Sequence, residues 1–152
     1  AKGALFLAVA ALATRCSGIR LENISGAARS MPWTMGAFVV AGLSLIGVPG
    51  TAGFVSKWYL ISAALGEGLL GGVLVAVIVI SSLMAVVYIW RVIEAAYFGE
   101  APAGLASTRE APPALLAVTW AAALANIYFG LATSLPVTLS TSAAEQLLGH
   151  VP

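Results

Sequence analysis

The chain has 152 residues, of which 61% are hydrophobic and only 9% charged, and its mean hydropathy is +1.01. Soluble domains carry charge on about a quarter of their residues, so this composition belongs to an integral membrane protein. A net charge near +1, without a basic stripe interleaved with aromatics, excludes a nucleic-acid partner. One cysteine, Cys16, excludes an internal disulfide, and one histidine, His150, leaves no cluster for a metal, so no metal and no cofactor is expected.

Gly3 to Thr14 is uncharged but shorter than the about 20 residues that a span requires. With Lys2 it reads as the second half of a membrane helix (1–14), and the sequence as the C-terminal fragment of a longer chain. A polar loop follows, with Arg15, Arg20, Glu22 and Arg29 among Ser, Asn and Gly residues. It ends at Met31-Pro32-Trp33-Thr34, where Pro32 marks a helix start and Trp33 an interface level. Residues 33–65 are apolar again, over a stretch longer than one straight helix needs, and Gly47, Pro49, Gly50 and Gly53 interrupt them. Proline removes a backbone donor and glycine lets the chain leave helical geometry, so two half-helices are expected, unwound near 47–53.

Gly66-Glu67-Gly68 reads as a turn and 69–98 as a helix, uncharged as far as Trp90. Arg91 and Glu94 can pair at its polar end, beside a belt of Tyr88, Trp90 and Tyr97. Gly68 and Gly72 have a spacing that permits close helix contact but also arises by chance. A Pro- and Ala-rich loop leads to a last span, 114–135, and 137–152 reads as an interfacial tail. The fold class is therefore all-α: a polytopic transmembrane helix bundle (1–136) with one discontinuous helix. Glu22, Glu67, Glu100, Glu110 and Glu145 read as solvated loop charges. Loop 15–32 carries three Arg, the turn at Glu67 none, loop 91–113 two and the tail none. The positive-inside rule then places both Arg-bearing loops in the cytoplasm and the C-terminus outside a cell (inner) membrane.

Lys57 is the residue to explain. A charge at the bilayer centre costs from about 3 kcal/mol to about 10 kcal/mol or more, and it marks ion paths. Broken backbone at that depth is tolerated only where protein or a water-filled cavity satisfies it. Lys57 lies roughly 13 Å below the turn at Gly66, and Lys2 roughly 18 Å from the loop at Arg15. Both depths are near the midplane, which suggests a lateral row of lysines. Snorkelling does not explain Lys57, because its side chain reaches about 6 Å, half of that depth. Ser44, Thr51, Ser56 and Tyr59 either hydrogen-bond water in the gap or cap half-helix ends, and capping is the better reading of any one of them. Trp58 reads as packing beside the lysine. The glycine-rich stretch lacks the Gly-Lys-Ser/Thr ending of a phosphate loop, so nucleotide binding is rejected.

Lys2-Gly-Ala-Leu-Phe-Leu resembles the Lys-x-x-Leu-Phe-Leu helix of the proton-conducting membrane subunits shared by Mrp-type monovalent cation/proton antiporters and the respiratory NADH:quinone oxidoreductase. Arg29-Ser-Met-Pro-Trp-Thr and Ser44-Leu-Ile-Gly-Val-Pro-Gly-Thr-Ala-Gly-Phe-Val-Ser-Lys57 resemble the start and centre of that family's discontinuous late helix. Val87-Tyr-Ile-Trp-Arg-Val-Ile-Glu-Ala-Ala-Tyr-Phe98 and Asn126-Ile-Tyr-Phe-Gly130 look closest to the D-type subunit of the Mrp-type antiporter. The resemblance implies the last part of the second of two inverted repeats, with Lys57 exchanging protons towards the outer side and Lys2 feeding it. It implies other membrane subunits as partners, with protons and monovalent cations, sodium among them, as cargo. The first repeat's glutamate–lysine pair and the histidine before the Lys2 motif are missing, so this stretch alone is not expected to conduct. A proton-pumping subunit of NADH:quinone oxidoreductase or a related membrane hydrogenase is the alternative. A non-conducting membrane anchor is a second alternative, with no catalytic chemistry in the chain itself.

Overall fold

Several of the helices start or stop at a proline or glycine. In the computed structural model, which describes residues 1–16, 18, 20–101 and 109–149, the order is α1 (Lys2–Ala13), α2 (Leu21–Ile24), α3 (Ala27–Ser30), α4 (Pro32–Ile46), α5 (Ala52–Ala64), α6 (Gly68–Phe98), α7 (Pro113–Leu131) and α8 (Ser134–Leu148). The chain is all-α, and no strand occurs among the described residues. Pro32 and Pro113 open α4 and α7 at the first helical position, where a missing N–H costs nothing. Gly47 ends α4 with φ +94°, a left-handed backbone that favours glycine. His150 lies outside the described residues, as does part of the 91–113 loop.

The centre of the bundle is α4, which packs on α1, α6, α7 and α5. Small residues make that approach possible: Ala4, Ala8 and Ala11 of α1 and Ala37 and Ala41 of α4 are fully buried. Without a hydrophobic drive between helices in lipid, such small faces let backbones meet closely. Met31, Met35 and Phe38 fill the space between them and Ile89 of α6. Along α6 the opposite holds, with Leu69, Leu70, Val73, Val77, Ile80 and Leu83 exposed. A face of that extent in water would be a large apolar patch, and it suits a helix that crosses a membrane. At 31 residues, α6 is about 46 Å long, and it exceeds a hydrocarbon core of about 30 Å.

Three local expectations change. The polar loop 15–32 holds two short helices, α2 and α3. The last span stops at Leu131, and the stretch expected as a tail is α8, because Pro136 cannot continue α7 yet is tolerated in the first turn of a new helix. Glu22, Glu67, Glu100 and Glu145 are exposed, but Glu110 is no free loop charge. Its carboxylate accepts the N–H of Trp33 (3.2 Å), the N–H of Thr34 (3.1 Å) and the Thr34 hydroxyl (2.6 Å). It thereby caps α4, whose first turn has unpaired donors and a positive dipole end. Gly68 and Gly72 have nothing within 4 Å of a built Cβ; the close approach is at Gly71, against the Ala64 carbonyl.

Candidate functional site at the helix break

Between Ile46 and Ala52 the backbone is not helical, and Gly47 and Gly50 take φ of +94° and +87°. A helix that stops inside a membrane leaves carbonyls at one end and N–H groups at the other without partners. Here each half-helix supplies the cap of the other. Ser44, near the end of α4 and fully buried, accepts the Gly53 N–H of α5 at 3.3 Å. Lys57, one turn further along α5, reaches back and donates to the carbonyls of Leu45 (2.9 Å) and Ile46 (2.8 Å), the last two of α4. The Leu43 carbonyl takes the N–H groups of both Gly47 and Val48. An ammonium at a helix C-terminus also opposes the negative end of its dipole.

Two further polar side chains complete the arrangement. Ser82 of α6 accepts from Lys57 Nζ at 2.7 Å and donates to the Ile78 carbonyl at 3.0 Å. Asn126 of α7 accepts the Ser44 hydroxyl at 3.1 Å and donates to the Ala122 carbonyl at 2.7 Å. Among the described residues, no buried side-chain N or O atom lacks a partner. Glycines permit this closeness: a Cβ on Gly53 would strike the Ser44 carbonyl, and one on Gly130 would strike the backbone of Thr51.

Lys57 borders two spaces. One is an open cleft of about 370 Å³ lined by Ala1, Lys2, Ser44, Leu45, Ala52, Gly53, Ser56, Asn126 and Lys57 itself, with Lys2 and Ser56 exposed; its polar groups offer partners to water. The other, of about 270 Å³, lies between α5 and α6 and is apolar apart from Lys57 and Ser82, with Trp58 on its wall. The structure thus brings Lys2, Ser44, Gly53, Ser56 and Lys57 to one open cleft. It does not bring Tyr59 there: Tyr59 is exposed and shares a separate space with Ser56 and α8. Thr51 turns back on the Val48 carbonyl at 2.7 Å within the break that contains Pro49.

Sequence reasoning missed Ser82 and Asn126 as site residues. A signal for Ser82 existed in the depths. Helical side chains lean towards the N-terminus of their helix, so Lys57 points about 6 Å deeper than its own backbone, to roughly 19 Å below the turn. Ser82, fourteen residues beyond Gly68, lies at roughly 21 Å. Asn126 is the lone carboxamide of an apolar span, which is itself a signal in a membrane.

The family described as NADH:quinone oxidoreductase/Mrp antiporter, TM matches residues 1–85. NADH-quinone oxidoreductase subunit N of Desulforudis audaxviator (strain MP104C) is 46% identical over 113 residues, covering 74% of this chain and 22% of that protein. Subunit N 2 of Syntrophobacter fumaroxidans (strain DSM 10017 / MPOB) is 32% identical over 143 residues, 94% of this chain and 30% of its own length. Among solved structures, the Mrp complex from Dietzia sp. DQ12-45-1b superposes with a TM-score of 0.85 at 27% identity, over 99% of this chain and 36% of that one. The membrane-bound sulfane sulfur reductase, an archaeal respiratory membrane complex, does so with 0.76 at 35% identity, over 85% of this chain and 21% of that one. The chain therefore spans between 21% and 36% of the length of these relatives.

Proposed function

The chain belongs to the NADH:quinone oxidoreductase/Mrp antiporter transmembrane family, and on that premise we propose that it is part of a proton-translocating subunit in which Lys57 takes up and releases a proton at the helix break. It is a multi-pass membrane protein, and its relatives are subunits of multi-subunit membrane complexes. The observation that carries the reading is the position of Lys57: a lysine held on the open end of a half-helix, on the wall of a cleft that Lys2 shares. Lysine can give up its proton within a protein, whereas arginine does not. A charge arriving at Lys2 repels the Lys57 ammonium; two unit charges roughly 8 Å apart at an effective dielectric near 20 do so by about 2 kcal/mol. One pKa unit corresponds to about 1.4 kcal/mol, so that repulsion favours release of the Lys57 proton.

The 46% identity to subunit N supports a redox-driven, quinone-linked complex as the setting, with Lys57 and Lys2 as its proton path. The likeness to the Mrp complex over 99% of the chain supports the second reading, exchange of protons for a monovalent cation such as sodium. Vesicles containing the assembled parent complex distinguish the two, since flux requires quinone reduction in the first case and a monovalent cation gradient in the second. In either, Lys57→Ala abolishes proton flux at normal amounts of assembled complex. Lys57→Arg, which keeps donors for the Leu45 and Ile46 carbonyls, impairs flux while leaving assembly intact. Parental flux in Lys57→Ala would remove Lys57 from the path and favour a membrane anchor.

A further inference from the structure

The ammonium of Lys57 has three N–H donors, and three acceptors receive it: the Leu45 carbonyl, the Ile46 carbonyl and Ser82 Oγ. The site is thus matched to the protonated lysine. A lysine that has lost its proton keeps two donors and gains a lone pair, which in a membrane interior is costly to leave without a donor of its own. Backbone carbonyls cannot supply one. A hydroxyl can, because its hydrogen rotates about the Cβ–Oγ bond.

With Lys57 protonated, the Ser82 hydroxyl donates to the Ile78 carbonyl and its lone pair faces Nζ. Ile78 lies within the continuous helix α6, so its carbonyl keeps the ordinary bond from the N–H four residues on when the hydroxyl turns away. Turned towards Nζ, the hydroxyl donates to the lone pair, and Leu45 and Ile46 take the two remaining N–H groups. Neither state leaves a polar atom unpaired.

We propose that Ser82 is the positioning residue of Lys57: it reverses its hydrogen bond as the lysine changes protonation and so holds the amine at the break in both states. This rests on the reading that Lys57 exchanges a proton. The exchange is with water in the cleft shared with Lys2: the ammonium turns about its Cε–Nζ bond to point one N–H at that water, this N–H bond breaks, an O–H bond to water forms, and the electron pair stays on Nζ, which turns back with its lone pair towards Ser82. Ser82 itself gains or loses no proton. Its anchoring matters because Lys57 and Ser82 both line the apolar space between α5 and α6, beside Trp58 and Ile78, which leaves an unanchored lysine side chain room to shift off the carbonyls of the break.

The test uses Ser82→Thr and Ser82→Val in the full-length subunit, within the assembled complex, in membrane vesicles. Thr and Val have the same shape and differ in the hydroxyl, and Thr can make the same bond to the carbonyl four residues back. At equal amounts of assembled complex, proton flux in Ser82→Val is expected to be about tenfold below that in Ser82→Thr, as for a lost hydrogen bond to a charged group. Ser82→Ala, which adds no volume, is expected to match Ser82→Val and stands in for it if the latter does not assemble. Equal flux in Thr and Val overturns the proposal, whether both keep the parental rate or both lose it to packing. Lys57→Ala in the same vesicles separates the two failures. If it abolishes flux while Thr and Val are equal, only the role of Ser82 falls; if it transports at the parental rate, the reading of Lys57 falls too.

Discussion

Glu110 does at the start of α4 what Lys57 does at its end. A carboxylate sits on the donors of the first turn and an ammonium on the carbonyls of the last, and both come from other parts of the chain. Each charge faces the dipole end that stabilises it. Glu110→Ala leaves two N–H groups and a hydroxyl without this partner and is expected to cost about 1 kcal/mol, in the range of lost N-caps. Glu110→Gln keeps one acceptor oxygen and should cost less. The thermal midpoint of the assembled complex measures both, and an unchanged midpoint in Glu110→Ala would show that the cap carries no stability. Ser44→Ala is expected to be worse. It removes the partner of the Gly53 N–H and one partner of the buried Asn126 at once, and a stranded buried polar group costs about 1–3 kcal/mol.

At the scale of elements, the break is a joint whose halves are held by reciprocal caps and by contact without side chains. Gly53 lets α5 cross the Ser44 carbonyl, and Gly130 lets α7 lie against Thr51. In each case the atom a methyl group would meet is backbone, which cannot rotate aside. Gly53→Ala and Gly130→Ala are therefore expected to destabilise by about 1–3 kcal/mol or more. Gly72 of α6 is the internal control: open space surrounds it, so Gly72→Ala should be neutral or stabilise by about 0.5–1 kcal/mol through helix propensity. Equal effects at all three positions, measured by unfolding of the assembled complex, would contradict this packing of α5 and α7.

At the scale of the molecule, orientation rests on where the basic residues fall. Arg15, Arg20 and Arg29 lie on one side of the bundle and Arg91 and Arg109 return to it, while the turn at Glu67 and the end of α8 carry none. On the positive-inside rule we propose that the Arg-rich side faces the cytoplasm. A reporter joined after Pro152 in the full-length protein is expected to be active only outside, and activity in the cytoplasm of correctly inserted protein would reverse the orientation. The 31-residue α6 is long enough to cross an apolar layer of about 30 Å with length to spare.

Membrane residence, the all-helical class and the interruption of one span followed from the sequence alone. They depend on properties that neighbours along the chain share: hydropathy summed over a window, a proline without a donor, glycines that tolerate left-handed backbone. Gly47 and Pro49 announced the break, and Lys57 announced itself as a charge in an apolar span. Its partners were decided only by tertiary structure. Ser82 is 25 residues from Lys57, Asn126 is 82 from Ser44, and Glu110 is 76 from Thr34. Hydrogen bonds of that reach are set by which helices pack together and at what height, so a hydroxyl, a carboxamide or a loop carboxylate looks ordinary until the packing of α4, α6 and α7 brings it to the open end of a broken helix.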